Sequence, residues 1–230
     1  MAVRPEGANH QWRKNPPGEL SIDPVADERF VRLRLLAQST LVIAGTLSTP
    51  ERKETMSSRE TYAPGPAAGA EVRKDGEKWT LILVRELHHP PAKVWQALTE
   101  PGQLREWAPF DADRNLGDVG PVKLATVGAQ PPQVSETSVK RAEASRLLEY
   151  GWGGNDIRWE LEPLGSGTRL TLWHKIDRGF VSMGAAGWHI CFDVLDRFLA
   201  GKPIGRIVAG EAMKFGWQRL NAEYAKQFGI

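Results

Sequence analysis

An alternating pattern between residues 157 and 174 constrains the fold more than any other feature of the chain. Apolar side chains, and one histidine, take every second position on either side of Gly165-Ser166-Gly167: Ile157, Trp159 and Leu161 before it, and Leu170, Leu172 and His174 after it. Because side chains of a strand alternate between two faces, such a segment buries one face and exposes the other. Glycine supplies the positive φ that a short hairpin loop needs. The pattern therefore predicts a β-hairpin.

The remaining periodicity predicts an α+β domain built on a long antiparallel sheet. Further strands are predicted at Trp79–Leu87, Asn115–Gly120, Val122–Val127, Gln133–Ala142 and Leu147–Trp152, and helices at Ala92–Thr99, Gln103–Trp107, Met183–Leu199 and Glu211–Phe228. A sheet of this length must curl, and its concave side needs a cover. The helix at 183–199 is the predicted element large enough to cover it, so we expect a cavity between the sheet and this helix.

The composition divides the chain into two parts. Eight of the nine tryptophans lie after residue 78, whereas the first seventy residues are rich in proline. This contrast predicts a mostly disordered extension at residues 1–70 and one compact domain at 71–230. The segment Met56-Ser57-Ser58-Arg59-Glu60 also reads like a bacterial N-terminus, so a second interpretation places the natural start near Met56. In that interpretation residues 1–55 do not belong to the natural protein.

Charge and cysteine content argue against several classes of partner. The formal net charge is +2 with no basic run, which argues against a nucleic-acid partner. A single cysteine, Cys191, excludes an intramolecular disulfide and a cysteine-based zinc site. The apolar segment Leu35–Leu47 is too short and too polar to cross a bilayer. We therefore predict a cytoplasmic protein with no membrane insertion.

Three segments together resemble the activator-of-Hsp90-ATPase homologue-like family of the SRPBCC, or START-like, superfamily. They are the strand and helix at Leu83–Thr99, with Pro-Pro-Ala and Val-Trp-Gln-Ala-Leu-Thr, the strand Gly167–Leu172 and the helix start Gly187-Trp188-His189. The resemblance covers residues 79 to about 228, and the tail after Gly201 is similar to those of bacterial stand-alone members.

The resemblance implies a helix-grip fold, in which a curved antiparallel sheet wraps around a long C-terminal helix and two short helices follow the first strand. It also implies a deep apolar cavity for lipids, sterols, polyketides or other hydrophobic small molecules. Some branches of the superfamily are cyclases or hydrolases. The eukaryotic co-chaperones that give the family its name carry an additional domain that binds the chaperone, and nothing in residues 1–70 is similar to it.

The candidate ligand-binding residues are large apolar side chains from different segments, together with two histidines. They are Trp107, Phe110, Trp152, Trp159, His174, Trp188, His189 and Phe192. A cavity needs stiff apolar walls and a few polar groups, although the same rings would serve equally well as core. In one interpretation His174 and His189 meet in the cavity and bind a ligand or transfer a proton. In the other they are structural.

We expect binding of a lipid-like or polyketide-like hydrophobic small molecule between the sheet and the long helix. One alternative is a cyclase, dehydratase or hydrolase that uses His174 or His189. Another is an interaction module for a chaperone of the Hsp90 type. We assign no catalytic residue, no cofactor and no metal, since a third metal ligand at motif spacing is not evident and no nucleophile motif is legible.

Overall fold

The computed structural model describes residues 58–75 and 78–230. Among these, eight strands form one antiparallel sheet in the order β1-β2-β8-β7-β6-β5-β4-β3. The strands are β1 (Ala70–Asp75), β2 (Lys78–Leu87), β3 (Phe110–Ala112), β4 (Gly120–Thr126), β5 (Gln133–Glu143), β6 (Leu147–Trp152), β7 (Asn155–Leu164) and β8 (Gly167–Asp177). The predicted hairpin is confirmed, with β7 and β8 paired from Ile157–His174 to Leu164–Gly167.

Four α-helices follow in the described part of the chain, in addition to helical residues 58–60. They are α1 (Pro91–Thr99), α2 (Pro101–Trp107), α3 (Val181–Leu199) and α4 (Trp217–Phe228), with 3-10 segments at Arg178–Phe180 and Ala209–Phe215. Proline begins both α1 and α2, where a missing N–H leaves no bond unmade. The predicted helix at 211–228 is instead divided at Gly216, whose φ of 81° lies in the left-handed region.

The long helix α3 lies against the inner face of the curved sheet. Buried residues occur all around it, including Ala185, Trp188, Ile190 and Leu195. A helix that is apolar on every side is covered on every side. The sheet covers one side of α3, and α4 packs on another. This is the helix-grip arrangement that the resemblance implies.

One predicted strand is wrong. Residues 115–119, predicted as part of a strand at 115–120, form a turn instead. The Arg114 guanidinium donates to the carbonyl oxygens of Asn115, Asp118, Gly120 and Pro121 at 2.7–2.9 Å. The Asn115 side chain also accepts a hydrogen bond from the backbone of Gly117 at 2.6 Å. These local bonds satisfy the backbone without a strand partner.

Residues 58–69 pack against the domain. Tyr62 is buried and its hydroxyl donates to Asp193 of α3 at 2.9 Å. Arg59 donates to the carbonyl oxygen of Gly205 at 2.9 Å, and Arg219 of α4 donates to that of Pro64 at 2.7 Å. The predicted domain division at residue 70 stays a prediction, because residues 1–57 lie outside the described residues, as do the predicted alternative start at Met56 and the segment Leu35–Leu47.

Candidate functional site

Seven of the eight predicted site residues lie together between the sheet and α3. Trp159 of β7 stands at the centre of this aromatic cluster. Its ring centroid is 5.4 Å from that of Trp188, 5.8 Å from that of Phe192 and 5.9 Å from that of Trp107. The Trp107 and Trp188 rings meet Trp159 edge to face, an arrangement that aromatic pairs prefer. Alternation in β7 and helical spacing in α3 bring these side chains to one place.

A second part of the cluster surrounds Trp152, the last residue of β6. Three rings, which we call the Trp152 box, lie around its indole: Phe110 at 5.3 Å, Trp188 at 5.9 Å and His174 at 6.1 Å between centroids. Trp152 is half-buried, whereas the other seven predicted residues are buried. The box therefore lies where the interior of the domain approaches the surface.

The indole N–H groups of the cluster have hydrogen-bond acceptors. Trp107 donates to the carbonyl oxygen of Ala97 at 2.9 Å, and Trp159 donates to the hydroxyl of Tyr150 at 2.9 Å. Trp152 donates to Oγ1 of Thr126 at 3.1 Å. These bonds fix the rings in place and leave no indole N–H of the three unsatisfied. Tyr150 and Thr126 were not among the predicted residues, although Tyr150 shares the alternation of Leu148 and Trp152.

His174 is the polar group of the site. It is 4% exposed, and its Nδ1 accepts a hydrogen bond from Nε1 of Trp188 at 3.1 Å. An indole nitrogen can only donate, so Nδ1 must carry the lone pair and Nε2 the hydrogen. Nε2 is buried and has no hydrogen-bond partner among the described residues. The site therefore contains a buried N–H donor that meets no acceptor within residues 58–75 and 78–230.

Burial also fixes the charge of His174. It lowers the pKa of the imidazole from its ordinary value of 6.5 to about 4. The cause is desolvation, which disfavours the charged form of a group removed from water. His174 is therefore neutral near pH 7 and offers a neutral donor at Nε2.

The structure does not bring His189 to His174. Nδ1 of His189 lies 2.8 Å from the hydroxyl of Tyr224 in α4. That hydroxyl donates to the carbonyl oxygen of Ala68 at 2.9 Å, so it accepts from Nδ1–H of His189. Nε2 of His189 lies 3.7 Å from Asp193, which also binds Arg85 at 3.0 Å. His189 thus joins α3 to α4 and to the segment before β1.

The opposite face of the sheet carries a groove of about 680 Å³ that differs in character from the aromatic cluster. Its cationic side chains have anionic partners: Arg158 with Glu149 at 3.0 Å, and Lys140 with Asp156 at 2.5 Å. Trp173 lies in this groove. Paired charges on a wet strand face are ordinary surface chemistry, so the cluster under α3 is the better candidate site.

The described residues contain no group of three or more histidine, cysteine, aspartate or glutamate side chains able to hold a metal ion. Within the same part of the chain, no helix has the length and apolar character needed to span a membrane.

Residues 88–200, which extend from just before α1 to just after α3, match the family model described as activator of Hsp90 ATPase homolog 1-like protein. Over these residues the chain is similar to this family. The matched segment contains all eight predicted site residues, including the three rings of the Trp152 box. Members of the family have an SRPBCC-type fold, which is generally a ligand-binding domain.

Two solved structures illustrate the similarity in fold. A conserved protein of unknown function from Enterococcus faecalis is 16% identical with a TM-score of 0.54, over 77% of this chain and 95% of that one. The crystal structure of CalU16 from Micromonospora echinospora is 23% identical with a TM-score of 0.50, over 71% of this chain and 97% of that one. At these identities the likeness concerns the fold. Among curated proteins, none matches this chain in sequence.

Proposed function

We propose that this domain binds a hydrophobic small molecule between the sheet and α3, with His174 as its polar contact. The observation that carries the proposal is the Nε2–H group of His174, which is buried among aromatic rings and has no acceptor in the described part of the chain. Leaving a buried donor unsatisfied costs about 1–3 kcal/mol. A ligand that brings an acceptor to Nε2 recovers that free energy on binding.

The walls of the cluster suit such a ligand. Ligand sites are mostly apolar and aromatic, with a small number of placed polar groups that set orientation. Phe110, Trp159, Trp188 and Phe192 supply buried apolar surface from three different elements. The general ligand-binding character of the family fold supports the same function.

The alternative of an enzyme that uses both histidines has less support. His174 and His189 have different partners on different elements, so they do not form an acid–base pair. A pKa of about 4 makes the His174 imidazole a weak base at neutral pH. We therefore propose binding without an assigned catalytic step.

The alternative of a chaperone-interaction module predicts that the purified chain stimulates the ATPase of the bacterial ninety-kilodalton heat-shock protein. We likewise propose a location in the cytoplasm.

Native mass spectrometry of the purified full chain tests the proposed function. We expect a stoichiometric adduct, and denaturing extraction should release a molecule with an apolar body and a hydrogen-bond acceptor. The variant His174→Phe should carry less of it, whereas Trp173→Ala, on the other sheet face, should carry as much as the unmodified chain. The proposal is wrong if the chain carries no adduct and also shows no saturable binding of a hydrophobic dye such as Nile red.

A further inference from the structure

We propose that the site takes a neutral, flat, conjugated molecule with a hydrogen-bond acceptor. We also propose that the Trp152 indole occupies the position of this ligand until the ligand binds. This inference rests on the proposed function and names the ligand class of the same site. In it, the indole turns out of the Trp152 box, the ligand ring enters between Phe110 and Trp188, and its acceptor receives the hydrogen of His174 Nε2.

The shape of the ligand follows from the shape of the box. Phe110, Trp188 and His174 surround one flat ring, the indole of Trp152, at centroid distances of 5.3–6.1 Å. The planes of Trp152 and His174 differ by 31° at 6.1 Å, a separation too large for face-to-face stacking. A planar ring of similar size fits the same three neighbours, and a bulky aliphatic skeleton does not.

The polarity of the ligand follows from the tautomer of His174. Because Trp188 donates to Nδ1, the imidazole offers a donor at Nε2 and no second acceptor. The matching group is a carbonyl oxygen or a ring nitrogen, and a ligand that carries only a donor leaves Nε2–H unsatisfied. A carboxylate is disfavoured because the box has aromatic walls and a neutral imidazole.

Trp152 is the ring of the cluster that we expect to turn out of the Trp152 box. Trp107, Trp159 and Trp188 are buried, whereas Trp152 is half-buried and its N–H donates to the Thr126 side chain. The next residues, Gly153 and Gly154, both have positive φ, and a Cβ built on either would meet nothing within 4 Å. The indole therefore adjoins an open turn, and in the proposal it rotates outward there.

Isothermal titration of the full chain with two isosteric probes tests this proposal. Isoquinoline has a ring-nitrogen acceptor, whereas naphthalene has none. We expect Trp152→Ala to bind isoquinoline at least tenfold more tightly than the unmodified chain, because the probe no longer displaces the indole. The preference for isoquinoline over naphthalene should fall about tenfold when His174→Phe is added to Trp152→Ala, the effect of one buried hydrogen bond.

Trp173→Ala is the matched control, because it removes a tryptophan from the other face of the same sheet. It should leave both affinities unchanged. A second measurement needs no destabilising variant: with 5-fluorotryptophan in the unmodified chain, saturating isoquinoline should move the ¹⁹F resonance of Trp152 toward that of a solvent-exposed indole. The resonance of Trp173, which lies on the opposite face of the sheet, should keep its chemical shift.

The outcomes separate this inference from the proposed function. If hydrophobic molecules bind the unmodified chain and Trp152→Ala equally, with no acceptor preference that depends on His174, the proposed function stands and this inference is wrong. An unmoved Trp152 resonance at saturation also overturns it. If no variant binds either probe and no hydrophobic molecule or dye binds the unmodified chain, both proposals are wrong.

Discussion

Nε1 of Trp188 lies 3.1 Å from Nδ1 of His174, so a residue of α3 decides the tautomer of a residue of β8. The indole can only donate, and the imidazole must therefore accept at Nδ1 and carry its hydrogen at Nε2. In this way the packing of the helix on the sheet sets the chemistry of the site.

Replacing Trp188 by Phe should release the tautomer of His174. The variant keeps an aromatic ring in contact with Trp159 but loses the donor to Nδ1, so both neutral tautomers of His174 become accessible. Because a buried acceptor then has no partner, the free energy of unfolding should fall by roughly 1–3 kcal/mol. Urea denaturation measures the loss, and an unchanged midpoint would show that the 3.1 Å contact contributes nothing.

The stability of the domain should fall as the pH falls from about 6.5 to about 4. The pKa of His174 is about 4 in the folded chain, against an ordinary value of 6.5. Between these values the unfolded chain binds the proton and the folded chain does not, so acid favours unfolding. The loss attributable to His174 is roughly 3 kcal/mol.

The variant His174→Phe isolates this contribution. Burial also lowers the pKa values of His189 and His89, and both residues remain in the variant. Unfolding by urea at several pH values between 4 and 7 should therefore show a shallower slope for His174→Phe than for the unmodified chain. Equal slopes would mean that His174 has the same pKa in the folded and the unfolded chain.

The variant Tyr62→Phe should loosen the segment before β1. The Tyr62 hydroxyl donates to Asp193 at 2.9 Å, and burial together with the Asp193 charge raises its pKa. Without the hydroxyl, the Asp193 carboxylate, which also binds Arg85, loses one hydrogen bond, and the free energy of unfolding should fall by roughly 1–3 kcal/mol. Limited proteolysis should then cut within residues 58–69 faster; unaltered cleavage there would contradict the packing of this segment.

The variant Gly167→Ala should destabilise the sheet. A Cβ at Gly167 would stand 2.3 Å from the carbonyl oxygen of Leu87, which is backbone of the neighbouring strand and has little room to move. We expect a loss of about 1–3 kcal/mol or more in thermal or urea unfolding. Gly179→Ala is the control, since a Cβ there would meet nothing within 4 Å. Similar stabilities for the two variants would contradict the β2–β8 register.

Local patterns were enough to predict much of the fold. The faces of the β7–β8 hairpin follow from alternation alone, and Ile157, Trp159, Leu170 and Leu172 are all buried as predicted. The helix predicted at 183–199 is present as Val181–Leu199. Alternation and helical spacing are local properties, so a single sequence records them.

Other parts depend on contacts between distant residues, which a single sequence does not record. Strand β1 has charged residues at several positions and exists through its pairing with β2. The turn at 115–119 depends on one arginine that binds four carbonyl oxygens. At the candidate site, the sequence supplied the residues, but the separation of His174 from His189 depends on which sides of α3 face the sheet and α4.

A long-range ¹H–¹⁵N spectrum of the histidine rings at pH 7, with His174→Phe used to assign His174, tests directly whether His174 is a neutral donor to a ligand. We predict a neutral ring with its hydrogen on Nε2, and a shift of the Nε2 resonance when isoquinoline is added. A hydrogen on Nδ1, or a charged ring at pH 7, would contradict this role of His174.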